Sequence, residues 1–236
     1  MTEPFAARLL ALLERPDAAG SDEPGWVRAF TACAAGRFSD ALALGQRFIL
    51  ECAPLESAQL RLTVGSALRQ LGRHRDAERV DLSDVVEHPL QRIHLVVSAA
   101  ADAVGRHDAL GAAARIEQAR AALAAAPTAD ELSAIERERA RIRAAWVATE
   151  IALLAGRPTA ALEAIAVLDG PLPAFAGPAW PRHRAKTALF RGVVLTELGE
   201  RSEAGRALAD AASIAESIGA QPILDVATRM RAQLAP

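Results

Sequence analysis

The chain has 236 residues, 51% of them apolar and 24% charged, with a formal net charge of −2 and an isoelectric point near 6.2. That length and apolar content suffice for a substantial core and exclude wholesale disorder. The near-neutral charge supplies no general attraction to phosphate, so neither nucleic acid nor an anionic membrane is expected as a direct partner.

Residue usage is skewed, with no Tyr, no Asn, a single Lys (Lys186) beside 26 Arg, and abundant Ala. A GC-rich genome accounts for the bias; selection of Arg for bidentate anion recognition is the alternative. Ala and Arg are both strong helix formers, so helix is the expectation nearly everywhere. Cys33 and Cys52 are the only cysteines, too few for the disulfide framework of a small secreted domain, and are read as reduced thiols. Glu3, Arg8 and Glu14 interrupt the apolar N-terminus and remove a signal-peptide core, and no apolar run approaches the ~20 residues that span a bilayer. A cytoplasmic location is expected.

Apolar residues recur at intervals of three and four, with no run of alternating β-branched residues, which predicts an all-α fold. Leu9, Leu10, Leu12 and Leu13 mark a first helix over about 3–15, and Ser21 as cap with Pro24 in the first turn opens a second that carries Trp26, Val27, Phe30 and Cys33. From there one event repeats: a helix, a Gly, a short polar link, and a second helix with Ala soon after its start. It occurs as GRFSDA at Gly36, GRHRDA at Gly72, GRHDAL at Gly105, GRPTAA at Gly156 and GERSEA at Gly199. Gly just past a helix supplies the left-handed residue for a tight reversal, and the small Ala lets paired helices approach.

Pro54, Pro89, Pro127 and the cluster Pro171 to Pro181 separate the pairs. The predicted hairpins are 22–35 with 38–52, 55–71 with 73–86, 89–104 with 107–126, 129–155 with 158–169 and 180–198 with 200–218, followed by a last helix at 221–234. The reading is one domain, with capping helices in 1–20 and 220–236. Two segments 127 residues apart, GSALRQLGRHRDA from Gly65 and GVVLTELGERSEA from Gly192, share one pattern of Gly, Leu, Leu-Gly, acid and Ala. Gly65 and Gly192 are expected to permit close helix approach, and Gly72 and Gly199 to reverse the chain.

These residues carry a resemblance. Val64, Gly65, Leu68, Gly72 and Ala77, then Pro89, follow the packing order of a tetratricopeptide repeat (TPR), as do Gly192, Leu195, Gly199, Ala204, Leu208 and Ala211. The resemblance covers about 22–218 and implies antiparallel helix pairs stacked into a right-handed superhelix, an α-α solenoid. Successive turn glycines lie 36, 33, 51 and 43 residues apart, against about 34 in the standard repeat. Longer repeats of this kind resemble the helical regions of bacterial LuxR-type and related ATP-binding activators. Neither a GK[ST] phosphate loop nor a DNA-reading helix pair accompanies them here.

The five histidines, His74, His88, His94, His107 and His183, show no tight metal-ligand spacing, and no nucleophile motif is present, so no catalytic, metal or cofactor-binding residue is assigned. The run ERERARIR pairs Glu136 with Arg139 and Glu138 with Arg141 at i,i+3, as a solvated face or as a basic strip facing a partner. By the resemblance, the first helix of each pair lines a concave groove, which gives Arg69, Arg92, Arg143, Trp146, Glu150, Lys186 and Phe190 as partner-binding candidates. The implied function is a non-enzymatic scaffold that takes a protein or peptide in that groove; the alternative is a stand-alone regulatory sensor that binds a small ligand or a transcription partner. The absence of Asn counts against clamping of a terminal carboxylate in the manner of chaperone-tail binders. The Pro-rich stretch 170–181, with Phe175 and Trp180, is read as a linker or a lid, and self-association through imperfect caps is a further possibility.

Overall fold

The structure, a computed structural model, describes residues 2–16, 20, 22–82, 88–126, 130–169 and 180–234. Ser21, Pro127 and most of the Pro-rich stretch, Phe175 included, lie outside them. Among the described residues there is no strand. The twelve helices are α1 (Thr2–Glu14), α2 (Gly25–Ala34), α3 (Phe38–Phe48), α4 (Pro54–Gln70), α5 (His74–Leu82), α6 (Pro89–Gly105), α7 (Ala109–Ala125), α8 (Glu131–Leu154), α9 (Pro158–Ala166), α10 (Pro181–Glu197), α11 (Arg201–Ser217) and α12 (Gln221–Leu234).

Local chemistry sets the boundaries. Pro54, Pro89, Pro158 and Pro181 each open a helix at its first turn, where the missing N–H has no intrahelical partner to lose. Asp108 and Asp130 cap α7 and α8 by accepting from the backbone N–H of Gly111 and Ser133 at 2.8 and 2.6 Å. α2 starts at Gly25, directly after Pro24, later than the sequence reading placed it. Gly36, Gly72, Gly156 and Gly199 end their helices with φ between +65° and +83°. Gly105 does not: α6 runs through it, and His107 takes the left-handed turn at φ 62°. A Cβ on Gly105 would stand 2.2 Å from the His74 ring, so this glycine serves a close approach. The same is true of Gly65 against Asp81 and Gly192 against Leu208, each with a side-chain atom 2.5 Å from where a Cβ would lie.

α2 and α3, α4 and α5, α6 and α7, α8 and α9, and α10 and α11 pack as successive pairs, and α2, α4, α6, α8 and α10 also pack each on the next. α1 is no simple end cap. It lies across α8 and α10, and its Phe5, Leu9, Leu12 and Leu13 join Trp26, Leu60, Ile135, Ile142, Trp146, Ile165 and Trp180 in the largest core cluster. Trp26 and Trp180 are fully buried, each removing a large apolar area from water. A second cluster joins α6, α7 and α8 through Ile93, Val97, Ile116, Ala140, Ala144 and Val147.

Helices distant in sequence meet. Arg182 in the first turn of α10 donates to the Ala34 carbonyl at the end of α2 at 3.3 Å, and Pro222 of α12 sits where a Cβ on Gly36 would come within 2.9 Å of its ring. No helix of the described chain is long and apolar enough to cross a membrane.

Candidate functional site

One face of each first helix turns inward. On α4 this face carries Gln59, Thr63, Ser66 and Arg69; on α8 it carries Arg139, Arg143, Trp146 and Glu150. Both series recur at three and four residues, the spacing that stacks side chains on one side of a helix. Phe30 and Cys33 of α2, Val97 and Ala101 of α6, and Arg182, His183 and Lys186 of α10 complete the wall, with Leu13 of α1 at its edge. Together they surround a cavity of about 320 Å3. Arg69, Arg143, Glu150, Arg182, His183 and Lys186 in this wall are half-buried.

A hydrogen-bonded network stands behind the α8 part of the wall. His94, fully buried, lies with Nε2 2.7 Å from Glu136 Oε2, while Arg143 Nη1 reaches His94 Nδ1 at 2.9 Å. A guanidinium only donates, so Nδ1 accepts, the ring proton sits on Nε2, and His94 is neutral. Burial pushes its pKa down to about 4, with Arg139 and Arg143 acting in the same direction. Burial alone would raise the Glu136 carboxyl, but Arg139 and His94 outweigh it and hold it at about 2. Arg139 bridges Glu136 at 2.7 Å and Gln59 at 3.1 Å. The ERERARIR pairs are therefore formed as expected, Arg141 to Glu138 included, but Glu136, Glu138 and Arg139 are buried, which overturns the reading of a solvated face. The i,i+3 spacing fixes the pairing; the direction the face points is fixed by α4 and α6.

On the α4 side, Arg69 donates to Asp81 at 2.5 Å and Asp102 at 3.0 Å, with His74 Nδ1 3.4 Å from Asp102. Burial raises both carboxyls, Asp81 to about 7, against the pull of Arg69. Gly65 and Gly105 make this cluster possible, since a side chain on either would displace Asp81 or His74.

The α10 side differs. Lys186 Nζ stands 4.6 Å from the centroid of Trp146 and 5.4 Å from that of Phe190, in cation–π contact with both. Trp146 is held in turn by its Nε1–H donating to Thr187 Oγ1 at 3.0 Å and by ring contacts with His183 and Phe190. Burial lowers Lys186 to about 8, with Arg182 and Arg143 adding to the effect and Glu150 opposing it. Burial likewise lowers Arg143 to about 9 and depresses Arg182 and His183, while raising Glu150.

Known family models, curated proteins and solved structures give no match to this chain. The site therefore stands on its geometry.

Of the seven candidates from the sequence, Arg69, Arg143, Trp146, Glu150 and Lys186 line the cavity, and Phe190 supports Lys186 and Trp146 from one turn further along α10. Arg92 is exposed in the first turn of α6 and is not part of the wall. It lies two residues, about 200° of helix rotation, from His94, whose face continues through Ser98 and Ala101. Arg182 and His183 went unselected although Arg182 precedes Lys186 by one turn; extending the Lys186–Phe190 stripe backwards finds it. Among the described residues no three of His, Cys, Asp and Glu stand close enough together to hold a metal ion.

Proposed function

We propose that this chain is a regulatory sensor module, a helical-repeat fold of the tetratricopeptide kind that binds a small ligand in the cavity enclosed by its first helices. The observation that carries this reading is the convergence of five helices on one partly open cavity. α2, α4, α6, α8 and α10 all contribute wall residues, Arg182 ties α10 back to α2, and α1 occupies the inner side against α8 and α10. An extended peptide needs an open trough, whereas a partly closed chamber with convergent polar groups and aromatic walls suits a small molecule. The paired helices, the positive-φ glycines at four of five turns and the close approaches at Gly65 and Gly192 support the repeat assignment.

The test is thermal unfolding against a panel of small metabolites. A true ligand at one hundred times its dissociation constant adds about 2.7 kcal/mol, and for a chain of this size each kcal/mol raises Tm by about 2–4 °C. A panel in which no compound moves Tm or the fluorescence of the indole beside Lys186 sinks the proposal.

A second reading, the protein-binding scaffold, is favoured by a separate observation. α3, α4 and α5 leave an outer groove of about 530 Å3 lined by Leu42, Ile49, Leu50, Val64, Leu68 and Val80, and Leu50 is 94% exposed. Such a groove suits the apolar face of a partner helix. Amphipathic peptides selected on the protein should lose binding on Leu50→Asp; peptides indifferent to that change count against it.

A further inference from the structure

We infer that the ligand of the cavity is a small organic dianion, gripped by Arg143, Arg182 and Lys186. This rests on the sensor reading and adds the chemical class. Five cations line the wall: Arg69, Arg139, Arg143, Arg182 and Lys186. Two are already matched from behind, Arg69 by Asp81 and Asp102, and Arg139 by Glu136, and those carboxylates do not line the cavity.

The other three make no ion pair with a carboxylate among the described residues. Two of the five Arg143 N–H groups go to neutral acceptors, the ring of His94 at 2.9 Å and the hydroxyl of Ser98 at 2.6 Å. Arg182 meets the Ala34 carbonyl, at the weakly negative end of α2. Lys186 meets two ring faces. Lining the cavity with these three is Glu150, the only carboxylate among the described lining residues, which interacts electrostatically with Lys186 without a close ion pair. At these four residues three positive charges stand against one negative, a local excess of two; with the groups behind them counted, five cations face the four carboxylates Asp81, Asp102, Glu136 and Glu150, and burial raises Asp81 and Asp102 toward their neutral forms. Partly desolvated cations without counter-charge are costly, and a cavity walled by one sign of charge concentrates ions of the other. Burial first, and neighbouring Arg side chains second, depress Lys186 and Arg143, and burial depresses Arg182; a bound dianion would offset both costs.

Carboxylate and phosphate share the recognition chemistry, because guanidinium groups take either oxyanion through paired N–H donors. The volume restricts the ligand to a small one, at the lower end of the range for ligand pockets. Glu150 gives the same ligand an acceptor for a hydroxyl or ammonium group.

The experiment compares the full chain by calorimetry and thermal unfolding at constant ionic strength with malonate, succinate, inorganic phosphate and glycerol 3-phosphate. Acetate and succinamide serve as monoanionic and neutral counterparts. At least one dianion should raise Tm by several degrees and bind at least tenfold more tightly than acetate or succinamide, and the better of the two classes names the source. Lys186→Met should weaken that binding at least tenfold while raising the Tm of the ligand-free protein, and Lys186→Arg should restore most of the affinity. Near pH 8 the binding should take up protons, seen as a heat that depends on the buffer. Succinamide matching succinate, or dianions binding Lys186→Met as well as the parent, overturns the dianion. The same holds when none of the four dianions exceeds its controls. In each of these cases the sensor reading stands if another compound of the wider panel stabilises the protein, and falls with the dianion if none does.

Discussion

Acidification should weaken this fold through one buried imidazole, and His94→Gln should remove that sensitivity. His94 is enclosed between Glu136, Arg139 and Arg143 with no exposed area, and burial holds its pKa near 4, whereas in the unfolded chain it returns to about 6.5. The folded pKa is the lower one, so between these values the unfolded chain binds more protons and stability rises with pH. The contribution is complete above about pH 6.5 and is lost as pH falls toward about 4. At 1.36 kcal/mol per unit of pKa, the loss between pH 7 and pH 5 is about 2 kcal/mol. Gln in its place stays neutral at both pH values and keeps a donor and an acceptor. Urea unfolding followed by helical circular dichroism should show a drop between pH 7 and pH 5 about 2 kcal/mol smaller in His94→Gln than in the parent. His183 and His74, also depressed by burial, contribute in the same direction in both proteins and cancel from the comparison. Equal pH dependence in the two proteins would refute the assignment of His94 as a neutral, buried acceptor.

Glu136→Gln should be far more damaging, about 3–5 kcal/mol, because it leaves Arg139 buried without its counter-charge; Glu138→Gln removes a partner from the more exposed Arg141 and should cost under about 1 kcal/mol. Similar losses in the two variants would contradict the burial difference. Gly65→Ala should destabilise by about 1–3 kcal/mol through overpacking against Asp81, and Gly72→Ala by about 1–2 kcal/mol through its left-handed φ alone, both read from urea midpoints. A neutral Gly65→Ala would mean that α4 and α5 are not in close contact there. Iodoacetamide should modify Cys52 well before Cys33, whose thiol is buried and raised in pKa chiefly by burial; mass spectrometry after a short pulse decides, and faster labelling of Cys33 would contradict its burial.

Helix positions were largely legible because Pro and Gly punctuate them. Pro54, Pro89 and Pro181 start helices and Gly36, Gly72, Gly156 and Gly199 end them, a local chemistry that needs no knowledge of neighbours. Gly105 misleads for an instructive reason. The demand for Gly there comes from the His74 ring packed against it, which no local pattern encodes. The charge run on α8 shows the same division: its pairs follow from spacing, but its burial follows from Gln59 and His94 on two other helices. Of the candidate residues, Arg69, Arg143, Trp146, Glu150 and Lys186 line one cavity, because they share the inner faces expected of first helices. Asp81, Asp102 and Glu136, which decide which of those cations are neutralised, were not legible because each reaches its Arg from a different direction.

The meeting of Arg182 with Ala34 and of Pro222 with Gly36 has a consequence for how the chain folds. In an open array each pair touches only its neighbours, contacts stay short in sequence, and the ends can fray independently. Here residues 148 positions apart must find each other before the fold is complete. Such distant contacts carry a high loop-closure cost, which slows folding, and they bind the first and last pairs into one cooperative unit. Loss of α12 should therefore loosen α2 at the opposite end of the chain, a coupling that hydrogen exchange at the amides of residues 26–34 would register.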